Sequence, residues 1–190
     1  MVYMIDREEL TNILLNNNGE EILSYADKIL ELVPELIVCS RCEHEHRAHK
    51  YNVYMHILHV VAGVNSDLTL KLAALFHDIG KPYAKKKVNE KVSYWGHGDI
   101  SVVITNLVLN RLGYDESRIN DVCSLVKIHD EKIKPTINGI KLVVDSIGKM
   151  NFERLLILQT SDVHAHADVY ANIIIPKLDK IKEVYINNKF

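Results

Sequence analysis

Apolar residues along this chain return at helical spacing through most of its length, and strict alternation is almost absent, so the expected fold is all-α. Capping and breaking residues divide the pattern. Asp6 or Thr11 opens a first helix that ends at Asn16-Asn17-Asn18-Gly19, and a second runs from about Glu20 to Leu32 and stops near Pro34. Val38 to Lys50 is polar and irregular. Asn52 caps a helix over Val53 to Val64, and Asp67 caps the next, Leu68 to Ile79, which Gly80 and Pro82 stop. Lys85 to Gly96 reads as a long loop in which Val88 to Trp95 carries only a weak hairpin signal. Helices follow over about Asp99 to Leu112 and Glu116 to His129. Asn138 starts a short helix ending at Gly148, Asn151 caps one that carries Asp162, and the last spans about Asp168 to Ile186 with Pro176 as an expected kink.

The apolar segment ending in Leu75-Phe76-His77-Asp78-Ile79-Gly80-Lys81-Pro82 is the most informative. An imidazole and a carboxylate at the edge of an apolar helix are costly to bury unless they pair or bind a metal. His56, His97, His129 and Asp162 stand near the polar edges of other apolar segments, and helices packed in a bundle can aim such side chains at one point. Imidazole with carboxylate suits iron, manganese, zinc or nickel, and no cysteine is needed in the set. Six candidate ligands exceed what one ion takes while keeping an open position. The count therefore favours two divalent ions sharing Asp78 as a bridge, with a water made acidic enough to attack at neutral pH.

Composition narrows the class. The 190 residues suffice for one domain, and 47% hydrophobic with 25% charged residues is ordinary for a globular protein, whereas ten histidines are not. A formal net charge of −2 argues against a domain whose main task is gripping nucleic-acid backbone. No apolar run nears the ~20 residues that span a membrane. Met1 to Asp6 has no signal-peptide character, and three cysteines make no closed disulfide set, so the expected setting is cytoplasmic.

The order H…HD…H…H…D resembles the HD-domain superfamily of metal-dependent phosphohydrolases. Tyr51-Asn52-Val53-Tyr54-Met55-His56-Ile57-Leu58, Leu72-Ala73-Ala74-Leu75-Phe76-His77-Asp78-Ile79-Gly80-Lys81-Pro82 and Gly96-His97 are similar to the HD region of bacterial tRNA CCA-adding nucleotidyltransferases. Leu125 to Asp130, Leu156 to Asp162, Val33-Pro34-Glu35-Leu36 and His49 extend the likeness, which covers roughly residues 34–168 of a single 1–190 domain. It implies an all-α bundle, His56, His77, Asp78 and Asp162 as core metal ligands, and His97 and His129 as ligands of a second metal or contacts to phosphate. It also implies Lys81 as the cation facing a phosphoryl group. Nothing before residue 34 resembles the Gly-Ser motif and paired aspartates of the nucleotidyltransferase domain. The expected activity is therefore hydrolysis of a phosphomonoester or phosphodiester, not CCA addition.

Asp78 and Lys81 are thus the expected catalytic pair. The expected cofactor is one or two divalent ions (Fe, Mn, Ni, Zn or Mg), and the expected partner a phosphate ester or nucleotide, with an RNA end also open. Two alternatives share the fold: a diiron oxygenase with a similar ligand set, and a non-catalytic module that binds a nucleotide or RNA. Cys39-x-x-Cys42 with His44, His46 or His49 has zinc spacing, but a loop bordering the cleft is the simpler reading. Lys85-Lys86-Lys87, with Lys91, Tyr94 and Trp95, could place positive charge and an aromatic platform for a nucleotide or RNA end beside the cleft, but a solvated loop is the simpler reading. His59 shares a helical face with His56 and His166 follows Asp162 at i+4, so either could face the site, but packed residues are the simpler reading, and His164 carries no role.

Overall fold

Leu68–Phe76 forms a nine-residue helix with all but its first side chain buried, which its mostly apolar residues sustain, while the buried Lys71 ammonium is satisfied by Val61 O at 2.8 Å. The computed structural model describes residues 2–17, 19–44, 50–89, 91–188 and 190. In chain order they form α1 (Val2–Asn16), a 3-10 segment Gly19–Tyr25, α2 (Ala26–Leu32), a 3-10 turn Pro34–Leu36, and α3 (Ile37–Ser40). Then come α4 (Val53–Gly63), α5 (Leu68–Phe76), α6 (Lys81–Ala84), the strands β1 (Lys86–Val88) and β2 (Lys91–Ser93), and α7 (His97–Leu112). The rest is α8 (Glu116–Lys127), α9 (Ile137–Ile147), α10 (Lys149–His164) and α11 (Asp168–Asn188). The all-α expectation holds, and no helix among the described residues is long and apolar enough to cross a membrane.

α5 lies against α4, α8, α1 and α10, and α7 packs along α8. Their apolar faces form one large core, and a smaller cluster around Ile140, Phe152 and Leu178 sits among α9, α10 and α11. The Asn52 and Asp67 caps form as expected, accepting from Met55 N at 2.8 Å and Leu70 N at 2.9 Å. Asp67 also receives Arg154 Nε and Nη2 at 3.0 and 2.9 Å, which ties α10 to the start of α5.

Several expected boundaries move. Thr136 caps α9, accepting from Gly139 N, so the helix begins before Asn138. Gly148 precedes α10, and Asn151 instead donates to Asp121 and accepts from Arg154. α7 begins at His97, two residues earlier than expected, because Gly96 turns the chain at φ 83°. Ile37–Ser40 is helical inside the stretch expected to be irregular. α11 runs through Pro176 as one helix. The expected loop holds an antiparallel hairpin pairing Lys86 with Ser93 and Val88 with Lys91, with Asn89 at φ 49°. Its side chains are largely exposed, so no hydrophobic alternation announced it.

The helix expected through Ile79 ends at Phe76. Ile79 N takes the Phe76 carbonyl at 3.2 Å and Lys81 N that of Asp78 at 2.9 Å, three-residue-back bonds that tighten the chain into turns, and Pro82 has no N–H with which to resume the helix. Gly80 is not a left-handed stop: its φ is −80°. It is glycine because α7 passes over it. A Cβ there would lie 2.4 Å from His97 O and 2.7 Å from Ser101 N, and Gly80 N donates to Ser101 Oγ at 2.9 Å. The chain thus pins the first turn of α7 directly onto the His77-Asp78 turn.

Candidate metal centre

His77 is the first residue beyond α5, and its Nδ1 lies 2.8 Å from the carbonyl of Ala74. A carbonyl only accepts, so Nδ1 carries the proton and Nε2 presents a lone pair. The same local tie recurs at His129 to Val126 O (2.8 Å), His97 to Tyr94 O (3.0 Å) and His166 to Asp162 O (2.7 Å). Histidines that bind metals are held in this way, through the nitrogen that faces away from the ion.

The Nε2 atoms then converge. His97 Nε2 and His129 Nε2 stand 3.1 Å apart, so two neutral rings would oppose their lone pairs there unless a cation lies between them. Asp78 Oδ1 is 3.3 Å from His97 Nε2 and 3.6 Å from His129 Nε2. Its other oxygen, Oδ2, is 3.2 Å from His77 Nε2 and 3.4 Å from His56 Nε2. Asp162 Oδ1 closes the second group at 2.9 Å from His56 Nε2 and 3.7 Å from His77 Nε2. Donors that share an ion at bond lengths near 2.1 Å lie about 3.0–3.4 Å apart, so both groups have the spacing of a coordination polyhedron. His77 Nε2 and Asp78 Oδ1 are buried without a protein hydrogen bond, whereas Asp78 Oδ2 faces the Lys81 ammonium; such orphaned buried atoms suit ligation of a cation. The residues present therefore fit one or two divalent ions.

The electrostatics agree. Burial lowers the pKa of His56 to about 4, with Asp162 only partly offsetting it, so the ring is neutral near pH 7. Burial also opposes ionisation of Asp78, but the electrostatic pull of His77 and Lys81 outweighs it and holds the carboxyl well below the usual range. Asp162 is likewise held low, its contact with His56 prevailing over burial.

All seven expected site residues meet at this place. Lys81 Nζ lies 2.6 Å from Asp78 Oδ2, and His56, His77, Asp78, His97 and His129 are buried. Two more residues belong here that the sequence reading put elsewhere. His166 joins His56 and Asp162 in a third compact group, so the packed reading of it does not hold. His44 is buried with Nδ1 2.9 Å from Tyr51 O, its ring edge-on to His56 and its Nε2 3.4 Å from Lys81 Nζ. Burial and the neighbouring Lys81 charge bring its pKa to about 3, so it stays an acceptor for the lysine. His59 stacks on Tyr51 outside the cluster, and His164 is exposed. Cys39 and Cys42 are packed in the main core, and no potential metal group among the described residues includes a cysteine. His46 and His49 lie outside the described residues.

His44→Ala should release Lys81 from this second contact. The expected result is a lower Tm for metal-free His44→Ala than for wild type, with His44→Gln recovering part of the loss, because the buried ammonium loses a hydrogen-bond acceptor; calorimetry measures it.

The centre opens into a cleft of about 620 Å³ lined by Asp78, Lys81, His97 and His129 on the inside and by Trp95 and Tyr170 toward solvent. The family model for the HD domain matches residues 47–173 of the chain. Over 137 residues the chain is 26% identical to the CC-adding tRNA nucleotidyltransferase of Thermus thermophilus, covering 67% of this chain and 31% of that protein. It is 33% identical over 67 residues to the A-adding tRNA nucleotidyltransferase of Deinococcus radiodurans, covering 34% and 15% respectively. The chain therefore spans less than a third of the length of these relatives.

Proposed function

Because the chain belongs to the HD-domain family, we propose that it is a metal-dependent phosphohydrolase acting on a phosphate ester, with a nucleotide or an RNA end as the favoured class. The observation that carries the reading is the division of Asp78: one oxygen faces His56 and His77, the other faces His97 and His129. In this reading His56, His77, Asp78 and Asp162 would hold one ion, and His97 and His129, with Asp78, would hold a second. A divalent ion there would lower the pKa of a coordinated water and offset charge on a phosphoryl oxygen. Lys81, buried beside Asp78, adds a fixed positive charge where the phosphoryl oxygens gain negative charge. His44 and the ring of Tyr94, 5.7 Å from Lys81 Nζ, orient that ammonium. The names of the matched relatives support a nucleotide or RNA context.

Metal analysis of the purified protein, followed by a phosphatase and phosphodiesterase panel with manganese, nickel and magnesium, tests the proposal. Phosphate release in the panel is the expected result. Oxygen consumption by an iron-loaded sample with no phosphate release would assign the fold to oxygenase chemistry instead.

Metal loading should also stabilise the fold. At 1,000 times the dissociation constant the gain is about 4 kcal/mol, and for a chain of this size that raises Tm by roughly 10 °C. An unchanged calorimetric Tm at saturating manganese, nickel and zinc would remove the metal centre from the account.

A further inference from the structure

We propose that Trp95 is the face on which the base of a mononucleotide substrate stacks, an inference that rests on the phosphate-ester reading above. Trp95 is the one tryptophan of the chain, and it is 90% exposed although it lines the same cleft as Asp78 and Lys81. A solvent-facing indole gains nothing for the core and is typical of recognition surfaces.

Its backbone is fixed. His97 N donates to Tyr94 O at 3.0 Å, and Gly96 has φ 83° and ψ 4°, so Tyr94 to His97 forms a type II turn with Trp95 at its first corner. The Tyr94 hydroxyl donates to His44 O at 2.7 Å and His97 Nδ1 donates to Tyr94 O, which anchors the turn on both sides. The indole therefore stands on the residue pair that joins the hairpin to the metal centre. A second aromatic ring, Tyr170, lines the cleft with its face stacked on His166 at 4.7 Å between centroids. The cleft volume falls within the about 300–1,000 Å³ of small-molecule sites.

Charge favours a mononucleotide over a polynucleotide. Asp99, Asp130 and Glu131 line the cleft beside Lys127, which is paired with Asp99, so among the described residues no basic track leads away from the centre. The exposed Lys86, Lys87 and Lys91 of the hairpin are not among its lining residues.

Selectively excited tryptophan emission reports Trp95 alone, and it reads binding whether or not turnover occurs. AMP or 2′,3′-cyclic AMP should quench it, and ribose 5-phosphate should not. In the manganese-loaded enzyme, Trp95→Ala should raise KM for the nucleotide about 5- to 150-fold more than KM for glycerol 2-phosphate, the weight of one stacked base, with Trp95→Phe recovering much of the difference. Quenching by neither nucleotide, or equal quenching by ribose 5-phosphate, would overturn the stacking proposal, as would an equal KM change for both esters. Quenching that requires an oligonucleotide would overturn the mononucleotide assignment. Quenching by AMP without phosphate release on any metal would leave stacking supported and remove the hydrolase reading.

Discussion

Asp78→Ala is expected to lose bound metal and turnover together while keeping its helical circular dichroism. Loss of a partner outside the coordination shell already costs about 10–100-fold, and among the described residues Asp78 is the one carboxylate within reach of both imidazole groups, so a fall of about 10³-fold or more is expected. The variant also leaves Lys81, itself mostly buried, without its 2.6 Å carboxylate partner. Breaking such a pair from one side costs about 3–5 kcal/mol. The folded-state pKa of Asp78 is lowered, so its stabilising contribution is present above the ordinary carboxylate range and fades as pH falls. The difference in Tm between wild type and Asp78→Ala, both metal-free, should therefore be large near pH 7 and shrink in acid. Asp78→Asn keeps the shape and should lose metal equally. Full metal content in either variant would sink the bridging assignment.

Gly80→Ala is expected to be the most damaging change outside the ligands. At φ −80° and ψ −14° an alanine is conformationally acceptable, and a local view predicts slight stabilisation. The close approach of α7 reverses the sign. The added methyl would stand 2.4 Å from His97 O and 2.7 Å from Ser101 N, backbone atoms of a helix that cannot yield alone. Overpacking of this kind costs about 1–3 kcal/mol, a Tm loss of roughly 3–10 °C. Since the displaced carbonyl belongs to His97, turnover should fall about 100-fold, as a 1 Å misplacement can cause. A Tm at or above wild type would show that α7 is not held there.

The core helices and their caps were readable because each signal is local: Asn52 and Asp67 cap the helices that follow them, and the apolar run from Leu68 is as buried as its composition implies. The six candidate ligands were readable as types and order. Gly80 was not, because its constraint comes from a helix that begins 17 residues later. His44 and His166 were left outside the candidate ligand set for a related reason. His44 sits in a segment of cysteines and histidines that competes as a zinc signal, and only the three-dimensional path returns it to Lys81. His166 shares a face with Asp162, but its nearness to His56 depends on how α10 crosses α4. The hairpin carries almost no buried side chains, so its pairing left no periodic trace.

The histidines tied by Nδ1 to carbonyls within four residues of themselves have a kinetic consequence. Such a ring has lost its rotational freedom on folding, before any ion arrives. Ion capture then needs no rearrangement of loops or subunits, only shedding of solvent in the cleft. The empty and loaded forms should share one backbone, and exchange between different ions should be governed by the cleft mouth and the lifetime of the coordinate bonds, not by reopening of the bundle.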